Sequence, residues 1–198
     1  MKLAGLILAA GASRRMGAPK ALLTLEGETF LDRLIRLLAA HCSPVLVVLG
    51  HQADEVRRGL ARSAEAVFVV NADPERGQLS SLQCGLAAAP PESEGFMFTP
   101  VDYPGVRPST VAALAAAFST LRPLLAIPRC QGRRGHPVCC ARELIPEFLA
   151  LPADSSARAV IYRRLDEACY VDVDDAAIVE DVDDPEAYQR LLRAGTPR

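Results

Sequence analysis

A chain of 198 residues, half of them hydrophobic, suits one domain with a substantial core. Its formal net charge of -2 sets up no basic field for nucleic acid, and no apolar stretch approaches the ~20 residues that span a bilayer. The N-terminus has one lysine and a short apolar run that Gly11 and two arginines cut off. That is no signal peptide, so the expectation is a cytoplasmic protein with neither nucleic-acid nor membrane partners.

The first predicted element is a buried strand over Leu3 to Ala10, an apolar run without charge. Ala21 to Leu25 is short and apolar, and Glu26-Gly27-Glu28 is a turn. Thr29 can cap a helix that carries Phe30, Leu31, Leu34, Ile35, Leu37 and Leu38 at helical spacing. Val45 to Leu49 is a second strand, Ala53 to Ser63 a helix, and Val67 to Val70 a third strand. A helix from Ser80 or Ser81 to about Ala88 precedes a fourth strand over Gly95 to Thr99. Ser109 is placed as the cap of an alanine-rich helix ending near Thr120. Leu124 to Pro128 and His136 to Cys140 are strands joined through the turn Gln131 to Gly135, the second antiparallel to its neighbour. Glu143 to Leu149 and Ser155 to Arg164 are helical, Tyr170 to Val173 and Ile178 to Val182 are short strands, and Pro185 opens a last helix to Leu192. The strand-helix rhythm predicts a Rossmann-like α/β three-layer sandwich, its sheet mostly parallel with an antiparallel strand. The six cysteines form no C-x-x-C pair, and most read as small buried hydrophobes; adjacent Cys139 and Cys140 would point to opposite faces of a strand.

Ligands of such sheets bind beyond the carboxyl ends of the strands. Three polar segments fall there. The first, Leu8-Ala9-Ala10-Gly11-Ala12-Ser13-Arg14-Arg15-Met16-Gly17-Ala18-Pro19-Lys20, offers amides that can face an anion, with Arg14, Arg15 and Lys20 as cations. It is neither dinucleotide fingerprint nor P-loop: Ser13 stands where a second glycine belongs, and Ala18-Pro19 follows Gly17. The second segment runs from Asn71 to Leu82 and includes Gly77, Ser80 and Ser81. The third is Pro100-Val101-Asp102-Tyr103-Pro104, where a lone carboxylate between two prolines suits a hard cation such as magnesium. Near the C-terminus, Asp181 and Asp183 would share one face of a strand and attract a cation, or simply favour the helix that follows.

The first loop resembles the L-A-A-G-x-S-x-R-M-G-x-x-K signature of the MobA-like NTP-transferase family, with every position matched. Pro100 to Pro104 resembles its P-x-D-x-P segment, which would make Asp102 the metal-binding aspartate. Glu180 to Glu186 is similar to D-I-D-T-P-E-D, with Asp184 in place of threonine, and Asp183 would be a further ligand. Asn71 and Gly77 to Leu82 resemble the segment that holds base and ribose. Gly135-His136-Pro137 and Arg158 resemble the acceptor side, although Ala153 and Ser156 replace the two glycines of the G-D-x-G-A-R pattern there. The resemblance implies nucleotidyl transfer with Arg15, Lys20 and Asp102 as catalytic residues. Leu8, Ala9, Ala10, Gly11, Ser13, Arg14 and Gly17 would join Asn71, Gly77, Ser80 and Ser81 around the nucleotide, and His136 and Arg158 would meet the acceptor. Ala10, where the guanylyl branch has glycine, favours CTP. The implied acceptor is molybdenum-bearing molybdopterin, with a sugar phosphate or another phosphorylated metabolite as the alternative and a molybdoenzyme as onward recipient. A non-catalytic nucleotide- or cofactor-delivery protein is a second class. An NAD(P)-dependent oxidoreductase is a third, disfavoured because the second strand closes with Leu49-Gly50-His51 and no acidic residue.

Overall fold

The computed structural model describes residues 2–13 and 15–194. Its sheet runs in the order β10-β7-β9-β6-β1-β4-β5. These strands are β1 (Leu3–Ala9), β4 (Val45–Leu49), β5 (Val67–Val70), β6 (Gly95–Pro100), β7 (Leu125–Cys130), β9 (Val138–Ala141) and β10 (Ala168–Asp172). β9 lies antiparallel between β6 and β7, and the other neighbours along this order are parallel. A two-residue strand, β8 (Arg133–Arg134), folds back on β7 through Gln131 and Gly132, both at positive φ. A separate hairpin joins β2 (Thr24–Leu25) to β3 (Glu28–Thr29).

Central strands read as uninterrupted apolar runs because both faces are covered. One face packs against α1 (Phe30–Ala39), α2 (Ala53–Arg58), α4 (Pro108–Leu121) and α7 (Pro185–Ala194). The other packs against α3 (Gln78–Ala87), α5 (Ile145–Leu149) and α6 (Arg158–Arg163). The result is the three-layer α/β arrangement expected from the rhythm of the chain. Cys139 and Cys140 point into opposite cores, as alternation requires, and all six thiols are unpaired.

Several boundaries differ from expectation for identifiable reasons. α2 stops at Arg58 because Gly59 closes it and the buried Asp32 carboxylate takes the next amides, those of Ala61 (3.1 Å) and Arg62 (2.8 Å). α3 starts at Gln78, so Ser80 lies inside it and donates back to Gly77 O at 2.8 Å instead of capping. α4 starts at Pro108, and its first turn is bound by Asp175 from the C-terminal segment; Ser109 makes no cap. α6 begins at Arg158 and covers only part of the expected span. Ile178 to Val182 is not a strand. Ala176–Val179 forms a 3-10 turn, and the backbone there bonds to loops: His136 N donates to Ile178 O, and Val182 N to Asp102 O at 2.8 Å. No helix among the described residues is long and apolar enough to cross a membrane.

Candidate active site

The carboxyl ends of β1, β4 and β6 open on a cleft of about 620 Å³. The loop after β1 forms one wall. Ser13 sits at φ 49° and Gly17 at φ 68°, so the chain turns back on itself there. Ser13 fixes the turn twice: its carbonyl accepts from Met16 N, and its Oγ accepts from Lys20 N at 2.9 Å. Lys20 then begins a short 3-10 turn with its side chain directed back to the strand ends. Gly50, at the end of β4, packs under this wall; a Cβ there would meet Ala10 O at 2.5 Å.

Opposite lies the turn after β6. Val101 N donates to Leu8 O at 3.0 Å, which ties the turn to β1. Pro100 and Pro104 supply no N–H, so few bonds hold the segment, and the Arg33 Nε donation to Pro104 O at 2.7 Å is one of them. The Asp102 carboxylate is mostly buried and its Oδ1 has no hydrogen-bond partner. Burial pushes its pKa up to about 6, opposed by the Lys20 ammonium and reinforced by Asp183.

The C-terminal segment completes the site. The Val182 N bond to Asp102 O lays it beside the β6 turn, and Asp183 then faces Lys20. Lys20 Nζ donates to Asp183 Oδ1 at 2.5 Å and stands 3.9 Å from Asp102 Oδ2, while Arg15 Nη2 reaches Asp183 Oδ2 at 3.2 Å. The hydrogen bond from Lys20 holds the Asp183 carboxyl below the usual carboxylate range, against the effect of burial. Two carboxylates and two cations from three distant stretches of sequence thus meet on one rim.

Of the residues singled out from sequence, Leu8, Ala9, Ala10, Gly11, Ser13, Arg15, Lys20, Gly77, Ser81, Asp102 and Asp183 line the cleft. Asn71 and Ser80 are buried behind its wall, where the Asn71 amide donates to Ser80 Oγ at 2.9 Å and to Ser81 Oγ at 3.1 Å. Gly17 shapes the loop without lining the cleft, and Arg14 lies outside the described residues. His136 and Arg158 gather on the far side of Asp102, around Tyr103. The His136 ring lies 4.8 Å from that of Tyr103 and 5.7 Å from that of Phe98. Arg158 is close enough to lower the pKa of both His136 and Tyr103. Burial holds the His136 pKa down to about 4, so its ring is neutral at pH 7, and its buried Nδ1 has no partner. Burial, with Asp102 next in weight, raises the Tyr103 pKa to about 12. The sequence reading missed Gly50, His51, Gln52 and Glu75, which also line the cleft. The rule that looks beyond strand ends, applied to β4, would have found the first three.

The fold and this cleft define an α/β protein of the nucleotidyltransferase kind. The chain belongs to the MobA-like NTP transferase domain family, whose description matches residues 5–168. It is 34% identical over 95% of both chains to a nicotine blue oxidoreductase of Paenarthrobacter nicotinovorans. It is 25% identical over 92% of both chains to the molybdenum cofactor cytidylyltransferase of Escherichia coli K12. Among solved structures, Rv0371c of Mycobacterium tuberculosis H37Rv superposes with a TM-score of 0.86 at 28% identity, over 98% of both chains.

Proposed function

We propose that this protein transfers a cytidylyl group from CTP to a phosphorylated small-molecule acceptor, with molybdenum-bearing molybdopterin as the favoured acceptor. The observation that carries the reading is Lys20 placed between Asp102 and Asp183 at the mouth of an amide-rich loop. An acceptor phosphate oxygen attacks the α-phosphorus, a new P–O bond forms, and the bond to the β-phosphate breaks with its electrons leaving on pyrophosphate. A phosphate nucleophile is already anionic near pH 7, so the chain needs no general base. Catalysis is alignment and charge neutralisation. Lys20 and Arg15 exchange Asp183 for phosphate oxygens, and the loop at Gly11, Ala12 and Ser13 faces the leaving group.

Magnesium suits the donors present. Asp102 offers a buried, unpartnered oxygen and Asp183 a second carboxylate, while no cluster of three or more ligating side chains occurs among the described residues. Magnesium commonly takes one or two carboxylates and completes its shell with water and substrate phosphate. When bound, it would neutralise charge on the phosphate oxygens. Asp102 and Asp183 would hold it. Six free thiols and a substrate drawn from the nucleotide pool favour the cytoplasm. Delivery of the product to a molybdoenzyme follows if molybdopterin is the acceptor.

The nicotine blue oxidoreductase relative supports a second reading, an oxidoreductase, of which the nicotinamide-dependent class weighed from the sequence is the form tested. Thermal-shift measurements with each of the four NTPs plus magnesium, and separately with NADH and NADPH, separate the two. Binding to the folded state alone raises stability by about 2.7 kcal/mol at a hundred times the dissociation constant. CTP should give the largest shift, and CTP with acceptor should release pyrophosphate. Stabilisation by NADH or NADPH alone would favour the reductase, and equal shifts from all four NTPs would remove the preference for cytosine.

A further inference from the structure

We propose that Arg33, on α1, is a positioning residue for Asp102; its catalytic consequence rests on the nucleotidyl-transfer reading, its structural part does not. Arg33 is a cation in the core, with 5% of its surface exposed. A cation there costs free energy unless it is well paired, so its bonds identify what it is for. Nη1 reaches Glu26 Oε2 at 3.3 Å, on the turn between β2 and β3. Nε donates to Pro104 O at 2.7 Å across 71 residues of sequence.

That carbonyl ends the segment Pro100 to Pro104, whose two prolines leave it short of backbone donors. Besides the adjacent Thr99 hydroxyl on Pro100 O, three bonds among the described residues tie it to distant elements. Val101 N donates to Leu8 O of β1, Val182 N donates to Asp102 O, and Arg33 donates to Pro104 O. The first two grip the start and the middle; Arg33 holds the far end. Asp102 Oδ1 makes no hydrogen bond and Oδ2 has only the ion pair with Lys20 at 3.9 Å, so the placement of the carboxylate leans on the backbone beneath it. A charge-assisted bond to Pro104 O is a stronger tether than a neutral one would be. Methionine at position 33 would fill much of the same volume and leave Pro104 O without its donor.

The test compares wild type with Arg33→Met and Arg33→Lys. Amide hydrogen exchange of Val182, whose acceptor is Asp102 O, reads the turn directly and needs no ligand. Exchange should quicken at least tenfold in R33M, with amides in β1 and β4 unchanged, and R33K should recover part of the protection. Binding of manganese(II) in the presence of a non-hydrolysable CTP analogue, followed by loss of the free-ion EPR signal, should weaken about fivefold or more in R33M. The KM for CTP at saturating magnesium should stay within about twofold while kcat falls. A folded R33M with wild-type exchange at Val182 overturns the proposal. So does faster exchange throughout the sheet, which would make Arg33 a general stabiliser. If R33M does not fold, R33K is judged by the same criteria: Val182 exchange between threefold and tenfold faster supports the proposal, and unchanged exchange overturns it. Failure of the wild type to bind the analogue or turn over CTP would count against nucleotidyl transfer, leaving the exchange result to decide the role of Arg33.

Discussion

The two sides of Asp102 are built differently. On the cleft side, the loop after β1 and the turn after β6 project from adjacent parallel strands; the loop takes its shape from short-range features, Ser13 and Gly17 at positive φ and Ser13 Oγ on Lys20 N, and the turn from its two prolines and the ties to Leu8, Val182 and Arg33. On the side of His136 and Tyr103, residues 173 to 182 cross over the ends of other elements and are pinned where they pass. Asp175 binds Arg107 N and Thr110 Oγ1 at the start of α4, Ile178 O accepts from His136 N, and Val182 N bonds to Asp102 O. Chemistry on the first side depends on which side chains are present. On the second side it depends on whether a length of backbone stays in place. Substitutions should therefore fail in different ways on the two sides.

The largest effect belongs to the cleft side. Asp102→Asn should reduce turnover by about a hundredfold to a thousandfold, on the order of 3–4 kcal/mol of transition-state stabilisation. The folded protein should survive, because Asp102 is held partly against ionisation by burial and its Oδ1 has no partner to lose. Steady-state kinetics at saturating CTP, with a thermal melt alongside, checks both halves of the expectation. A variant with near wild-type turnover would remove Asp102 from the chemistry, and one that unfolds would show that its carboxylate is structural.

The same contrast governs what could be read in the sequence. The apolar runs at Leu3, Val45 and Gly95 announced buried parallel strands, and each ends in polar residues that the topology brings to one rim. Asp102 was legible because it follows β6 closely, and Lys20 because it closes the glycine-rich, basic loop that β1 opens. His51 and Gln52 obey the same rule after β4, where the sequence reading weighed only the lack of an acidic residue. The C-terminal segment resisted reading for a physical reason. Ile178 to Val182 has the apolar spacing of a strand, but its backbone bonds are spent on His136 and Asp102, partners that local spacing does not reveal. Ser109 had the chemistry of a cap, yet the role fell to Asp175, 65 residues from Thr110. Arg33 offered no signal either, since a charged residue on an apolar helix face normally reads as a solvated position.

An intermediate effect should come from the side of His136 and Tyr103. Gly135 leaves no room for a side chain: a Cβ would collide with the Ile178 carbonyl, which is backbone and cannot swing away. Gly135→Ala should cost about 2–4 kcal/mol in denaturant unfolding through overpacking. The C-terminal segment would be displaced, and Asp183 with it, so turnover should fall although no catalytic group has changed. Unchanged stability would mean that this segment rests on Asp175 and Val182 alone. Lost stability with full activity would mean that Asp183 does not need its present place.

The smallest effect is a pH dependence of stability from His136. Burial keeps its imidazole neutral down to about 4, whereas an exposed histidine takes up its proton near 6.5. Between these values the unfolded chain binds a proton that the folded one refuses, so this group favours the fold fully above 6.5 and loses that contribution as pH falls through the window. Asp102 works in the opposite sense over much of the same range: its raised pKa means the folded state binds the extra proton, and acidification favours it. The two partly cancel in the wild type, so the informative quantity is the difference from His136→Phe, whose ring suits the neighbouring Phe98 and Tyr103. Urea unfolding at pH 4, 5, 6 and 7 should show H136F gaining on wild type as pH falls, by up to about 3 kcal/mol. A constant difference across those pH values would mean that His136 protonates within the fold. In acid its ring would then join Arg158 as a second cation beside Tyr103, and the contrast with the cleft, where Lys20 and Arg15 carry the positive charge, would narrow accordingly.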